Sequence, residues 1–253
     1  MRLQLCTWPE IEAYLDTSTG IIIPIGSTEQ HGPTGFIGTD ALCPEIISQG
    51  ISEVSGALIA PTINVGMAQH HIGFPGSITF RPSTLITVIV DTVKSLEKHG
   101  FKRFFFLNGH GGNIATISAA FSEIYAERSL NRENSNCQSV RCHLQNWWSC
   151  NSVIELSKKL FGDSDGSHAT ASEISLTYFR YPEEAKRVQV KKKLNPEVAP
   201  KGPIYDAKDY RKRFPDGRIG SDPTLASIEA GQQLYQASVS DLAKIYQDFV
   251  MTD

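Results

Sequence analysis

The sequence predicts an α/β fold in three layers, with a mostly parallel central sheet and helices on both faces. Three observations support this reading. Short β-branched or aromatic runs recur along the chain, longer segments of helical period separate them, and 253 residues suit one domain of this class spanning 1–253.

The first strand is expected at 21–25, an unbroken apolar run of the kind a strand shows when both its faces are covered. A helix over 41–54 follows, then a strand at 57–63. A helix over 83–99 leads into the aromatic strand 103–107, and a helix over 114–128 into a strand at 140–145. Further helices are expected at 169–178 and, closing the chain, at 224–250. Residues 183–223 are rich in proline, carry Lys191, Lys192 and Lys193 and a charged run at 208–213, and show little periodicity. They read as one long surface excursion.

A formal net charge of −3 and a pI near 6.2 offer no general attraction to phosphate backbones or anionic lipid, which argues against nucleic acid and membrane as partners. Five cysteines with no Cys-x-x-Cys pair form neither a disulfide framework nor a thiolate zinc site. A reducing, cytoplasmic setting is expected, and any metal would be held by His and carboxylates. Residues 1–14 mix Arg2, Glu10 and Glu12 with apolar residues and show no export signal.

In open α/β sheets, ligands collect beyond the carboxyl ends of the strands, so the turns after each expected strand are where chemistry belongs. The turn after 21–25 reads Gly26-Ser27-Thr28-Glu29-Gln30-His31-Gly32-Pro33, with Thr39-Asp40 at the start of the next helix. Glu29 and His31 are two apart, so in extended backbone both leave on one side and can converge on one ion. Asp40 either completes that cluster or caps the helix. The turn after 103–107 reads Asn108-Gly109-His110-Gly111-Gly112-Asn113; it suits either a histidine ligand in a loop oriented by Asn108 and Asn113, or an anion nest at a helix N-terminus. A third segment, Asp165 to Glu173, places His168 at a helix start expected at Ala169 and Glu173 five residues beyond. Both can flank one pocket, or serve as a cap and an exposed helical carboxylate.

Taken together, Glu29, His31 and Asp40 in that spacing, the Asn108–Asn113 loop, and His168 through Glu173 resemble the creatininase family. The resemblance extends to His71-Ile72-Gly73-Phe74-Pro75-Gly76-Ser77 and to residues 217–231, and so covers nearly the whole chain. It implies a creatininase-like fold and two divalent ions per subunit, zinc or manganese with iron as a further option. Glu29 and His110 would hold one ion, His31 the other, and Asp40 would bridge them. Creatinine-hydrolysing members carry Glu at the position of Gly112, so Glu173 is expected to replace that ligand. They also carry Tyr at the position of Gly111 and a lid Trp near Ser164. Trp147, Trp148 and His71 are the expected substrate contacts, and His168 the expected proton-transfer group. The implied activity is hydrolysis of a small cyclic or linear amide by metal-activated water, in a homohexamer. The alternatives are a formamide- or peptide-type metallohydrolase of the same family, or a phosphate-binding α/β enzyme using the glycine-rich loop.

Overall fold

The computed structural model describes residues 1–130, 140–188, 194 and 202–252. Helix α1 (Trp8–Leu15) opens on a capping box in which the Glu10 carboxylate accepts from the Thr7 backbone N–H. Strand β1 (Gly20–Ile25) leads through α2 (Thr39–Ser55) to β2 (Leu58–Ile59), then α3 (Pro82–Lys98), β3 (Arg103–Asn108), α4 (Ile114–Leu130) and β4 (Arg141–Asn146). All pairings between these strands are parallel, in the order β2-β1-β3-β4. The chain leaves β1 toward one edge and β3 toward the other, so the crevice beyond their carboxyl ends is a topological switch point.

The pleat divides the apolar residues between two cores. Ile21, Ile23, Ile25, Phe104 and Phe106 pack against α1, α3 and α4. On the other face, Ile22, Phe105 and Leu107 pack against α2, α5 (Asn151–Phe161), α6 (Ala171–Arg180) and α9 (Ile228–Met251). This is the three-layer arrangement that the sequence predicts.

Several boundaries differ, each for a local reason. The strand expected at 57–63 is only two residues long because its register slips after Ala60: Ala60 and Ile63, three residues apart rather than two, donate to the Ile22 and Pro24 carbonyls. Helix α6 begins at Ala171 rather than 169. Ala169 has φ of 54°, outside the helical region, and Thr170 is the N-cap, with Glu173 closing a capping box. The surface excursion expected at 183–223 instead contains α7 (Pro182–Val188) and α8 (Ala207–Arg213), and Tyr210 and Phe214 of its second half are buried against Phe74. Lys191, Lys192 and Lys193 lie outside the described residues.

The packing that matters most for the crevice is that of the first turn of α2. Pro44 cannot donate to the Asp40 carbonyl four residues back. That carbonyl lies against the two strand-end turns so closely that a Cβ on Gly26 would stand 2.1 Å from it and one on Gly109 1.9 Å. Glycine at both turns lets Asp40 sit over β1 and β3 together. Gly109→Ala is therefore expected to destabilise the fold by about 1–3 kcal/mol, as overpacking does. Gly111→Ala, where no atom lies within 4 Å of the added methyl, should stay within about 0.5 kcal/mol. Denaturant midpoints of the two variants measure the contrast, and equal midpoints would sink the close-approach account.

Candidate metal centre

Asp40 is the second residue of α2, whose N-cap is Gly38, so it does not cap the helix. Its carboxylate instead lies between two imidazoles: Oδ1 is 2.9 Å from His31 Nε2 and Oδ2 is 2.7 Å from His110 Nδ1. Each ring is anchored from behind. His31 Nδ1–H donates to the Glu29 carbonyl (3.0 Å), and His110 Nε2–H donates to the Met67 carbonyl (2.9 Å). The remaining nitrogen of each ring therefore turns into the cluster, which is how protein scaffolds prepare an imidazole for a cation.

Glu29 adds a carboxylate with no solvent exposure, Oε2 lying 3.3 Å from His110 Nε2 and Oε1 3.1 Å from His71 Nε2. Glu173 closes the other side, with Oε1 3.8 Å from His31 Nε2 while also accepting the Thr170 N–H at 2.6 Å. The donor atoms of Glu29, Asp40 and His110 all lie within 4.8 Å of one another, as do those of His31, Asp40 and Glu173. Asp40 belongs to both of these triads, and a third group, Glu29, His31 and His168, shares one residue with each of them.

The surrounding loops are tied down. Asn108 Oδ1 accepts from the His110 N–H and Asn108 Nδ2 donates to the His110 carbonyl, while Asn113 Oδ1 accepts from the Met67 N–H and Asn113 Nδ2 donates to the Gly26 carbonyl. Asn108 and Asn113 thus brace the glycine-rich loop.

Both oxygens of Glu29 and Oδ2 of Asp40 are buried without a hydrogen bond, although ring nitrogens stand close to them. A buried polar atom left unsatisfied costs about 1–3 kcal/mol, and more for a charged group. Carboxylate and imidazole donors aimed at a shared space, rather than aligned on each other, fit a divalent cation. The charges respond accordingly. Burial opposes protonation of His31, but the Asp40 and Glu173 carboxylates outweigh it and push its pKa up to about 10; Glu29 and Asp40 push His110 up to about 9 in the same way. Burial raises the pKa of Glu29 and takes that of Glu173 to about 7. Burial would also raise Asp40, but His31 and His110 hold it well below the usual carboxylate range.

A cavity of about 520 Å³ opens on this cluster, and Asp40, His110, His168 and Glu173 contribute to its wall. Trp147 and Trp148, nearly perpendicular with ring centroids 6.3 Å apart, line it with Lys158 of α5. His168 Nδ1 is 3.8 Å from Glu29 Oε1. Burial, reinforced by neighbouring His31 and His71, holds the His168 pKa well below its ordinary value. His71 corrects the expectation of a substrate contact: it is 1% exposed and off the cavity, behind Glu29, where the rings of His168 and Tyr210 cover it. Gln30 escaped the sequence reading, its one signal being a glutamine set between two charged site residues, and residues 217–222 entered that reading only through the resemblance, with no site role.

A family model for creatininase, described as creatinine amidohydrolase, matches residues 4–246. The chain belongs to the creatininase family. Creatininase-family relatives differ in what they act on. A creatinine amidohydrolase of Pseudomonas putida is 26% identical over 249 residues, 94% of this chain and 92% of its own length. A mycofactocin precursor peptide peptidase of Mycolicibacterium smegmatis is 34% identical over 106 residues, 40% of this chain and 42% of that protein. A 3-dehydro-scyllo-inosose hydrolase of Thermotoga maritima is 33% identical over 109 residues, 43% of this chain and 35% of that protein. The match therefore spans less than half the length of these last two relatives. Among solved structures, an Mn creatininase aligns with a TM-score of 0.86 at 22% identity over 99% of both chains. A Zn-Zn type creatininase aligns at 0.83 and 23% identity, over 99% of this chain and 98% of the other. This creatininase-family chain is a hydrolase.

In the metal-free protein at pH 7, His31 and His110 carry protons that a cation would displace. Their folded pKa values lie above the ordinary value near 6.5, so their ion pairs stabilise the metal-free fold fully below about pH 6.5, and that contribution is lost as pH rises through about 9 and 10. Zinc uptake at pH 7 should accordingly release at least two protons per chain, those of His31 and His110 together with any held by Glu173 and Glu29, with affinity rising as pH rises. Calorimetry in buffers of different ionisation enthalpy measures the release; binding without it would contradict the protonated imidazoles.

Proposed function

We propose that this chain is a divalent-metal-dependent amidohydrolase acting on a carbon–nitrogen bond of a small cyclic or linear amide. The observation that carries the reading is the clustering of the buried Glu29 and Asp40 carboxylates, three of whose oxygens lack a hydrogen bond, beside His31 and His110 at the end of a cavity of about 520 Å³. Glu29, His110 and Asp40 would hold one ion, and His31, Glu173 and Asp40 a second, zinc or manganese being the favoured identities and iron a further option. Divalent ions in such a donor set supply Lewis-acid polarisation of a carbonyl and lower the pKa of bound water toward ~7.

The chain's own residues supply the rest. A cavity of this size suits a small molecule, and Trp147 and Trp148 give it an aromatic wall. His168 Nε2–H donates to the Gln30 carbonyl at 2.8 Å, which leaves Nδ1 as the bare nitrogen. His168 thus enters as a proton acceptor at Nδ1, taking a proton from the attacking water and delivering it to the leaving nitrogen.

A linear peptide amide is the second reading. The 34% identity with a peptide peptidase supports it, as does the open space at Gly111, where no side chain narrows the cavity. A phosphate has less support, because the carboxylates of Asp40 and Glu173 line the cavity and would repel it. The same reading includes the homohexamer implied by the resemblance and a cytoplasmic location. Unbridged Cys6, Cys43, Cys142 and Cys150 support a reducing compartment, and no described helix is long and apolar enough to cross a membrane.

A screen of creatinine, formylated amines, small lactams and short peptides with zinc- and manganese-loaded enzyme tests the activity. Asp40→Ala should lose metal and turnover together, and Glu173→Gln should lower metal content from about two ions to one per chain. Elemental analysis decides both, and full metal content with full turnover in either variant would remove that residue from the ligand set. His168→Ala should keep its metal and lose about 10²- to 10⁴-fold in kcat. An unchanged kcat in steady-state assays would reduce His168 to a structural role.

A further inference from the structure

We infer that Gln30 is a positioning residue that fixes the tautomers of two histidines at once. Its side-chain amide holds His71 with the proton on Nε2, facing Glu29, and its backbone carbonyl holds His168 with the proton on Nε2, leaving Nδ1 open toward the cavity.

The hydrogen-bond inventory leads to this by elimination. Gln30 Nε2 lies 3.0 Å from the Gly217 carbonyl, 2.8 Å from His71 Nδ1 and 2.9 Å from His168 Nε2, but an amide nitrogen has two hydrogens for these three neighbours. The Gly217 carbonyl can only accept and takes one. His168 Nε2 lies 2.8 Å from the Gln30 backbone carbonyl, which also can only accept, so that nitrogen carries a hydrogen and cannot receive another. The second amide hydrogen therefore goes to His71 Nδ1, and the approach to His168 Nε2 is a contact between two N–H groups. With Nδ1 accepting, the His71 proton sits on Nε2, 3.1 Å from Glu29 Oε1. Turning the amide over is excluded. Oε1 accepts the Gly32 N–H at 2.8 Å, and the exchange would set two N–H groups and two carbonyls against each other.

The amide is itself held by the far end of the chain. Tyr210 Oη–H donates to the same Gly217 carbonyl at 2.7 Å. A Cβ on Gly217, whose φ is 87°, would stand 1.8 Å from Gln30 Oε1, so glycine is required for the carbonyl to come this close. Ser77 Oγ accepts the Gln30 backbone N–H at 3.1 Å. Gln30 is thereby locked between the 71–77 and 210–217 segments, and its orientation is transmitted to both rings. The consequence for turnover rests on the proposed role of His168 and Glu29 in amide hydrolysis, whereas the tautomers themselves do not.

Two-bond proton–nitrogen correlation spectra of the ¹⁵N-histidine-labelled full chain, metal-free and zinc-loaded, read the tautomers directly. The expected wild-type pattern is a protonated Nε2 and a bare Nδ1 on both His71 and His168. Gln30→Met should leave His71 averaging between its two tautomers while His168, bonded to the main chain, keeps its pattern. Gln30→Glu supplies an oxygen in place of the second N–H, so the His71 proton should move to Nδ1. With a working substrate, Gln30→Met should lower kcat by about 10- to 100-fold with KM nearly unchanged, the usual scale for a partner behind a metal ligand. A wild-type His71 protonated on Nδ1, or a His71 tautomer unmoved in both variants, overturns the inference. A chain with the expected tautomers that hydrolyses no amide sinks the amidohydrolase reading alone.

Discussion

Asp40 carries a charge almost out of reach of water, 3% exposed at the junction of two strand ends, and the architecture around it follows from having to keep that charge there. An isolated buried carboxylate neutralises or finds partners. Asp40 finds two, and each partner ring is fixed by a backbone carbonyl on its far side, so neither can turn away. Glu29 and Glu173 then add acid to the same space, giving three carboxylates against two imidazoles. Without a cation the excess is met by protons, which is why burial raises the pKa of Glu29 and Glu173 and the imidazoles stay charged far above their ordinary range. Protons stand where cations fit.

That arrangement explains which parts of the site were legible in the sequence. Glu29 and His31 sit two residues apart beyond an apolar strand, and His110 lies inside a glycine loop beyond another, so spacing and strand position alone bring them to the same crevice. Asp40 was ambiguous because capping and ligation call for the same residue at a helix start; the choice depends on Pro44 and on the glycines at 26 and 109, whose spatial relation no local pattern reveals. His71 was misplaced because its burial comes from Tyr210, about 140 residues away along the chain. The segment holding Tyr210 read as a solvated excursion since α8 is short and mostly charged, and Tyr210 within it and Phe214 just after it are too few to give a period. Strand and helix identity survived because the aromatic and β-branched runs are long and covered on both faces, while β2 shortened where its register slips between Ala60 and Ile63.

The glycine loop also bears on the proposal that Glu173 stands in for the carboxylate that the creatinine-hydrolysing pattern would place at 112. A Cβ on Gly112 would lie 2.4 Å from the His110 imidazole and 2.7 Å from the Met67 carbonyl. A side chain there would press on the ring that the Met67 carbonyl anchors, so with this backbone a ligand at 112 and the observed His110 geometry compete for one space. Glu173 reaches the cluster from α6 instead, on the side of His31. The cost to the loop is avoided, and the space beside Gly111 stays open as part of the cavity.

Bringing Glu173 in from α6 places a demand on the preceding turn, because His168 and Glu173 must both face the cluster although a continuous helix would carry them to different sides. Ala169 resolves this by adopting a left-handed conformation, which costs a non-glycine residue roughly 1–2 kcal/mol. The 216–222 segment supplies the offsetting bonds. The Ile219 N–H (3.3 Å) and Ser221 Oγ (2.8 Å) both donate to the His168 carbonyl, and the Ser167 N–H donates to the Ile219 carbonyl at 2.8 Å. On the far side of the kink, Thr170 and Glu173 cap each other, so the same carboxylate that completes the cluster also fixes the helix start from which it projects. The strained residue is thus clamped on one side by the distant 216–222 segment and on the other by the Thr170–Glu173 capping box, and His168 and Glu173, the proposed proton-transfer group and second acidic ligand, are held as a single rigid unit.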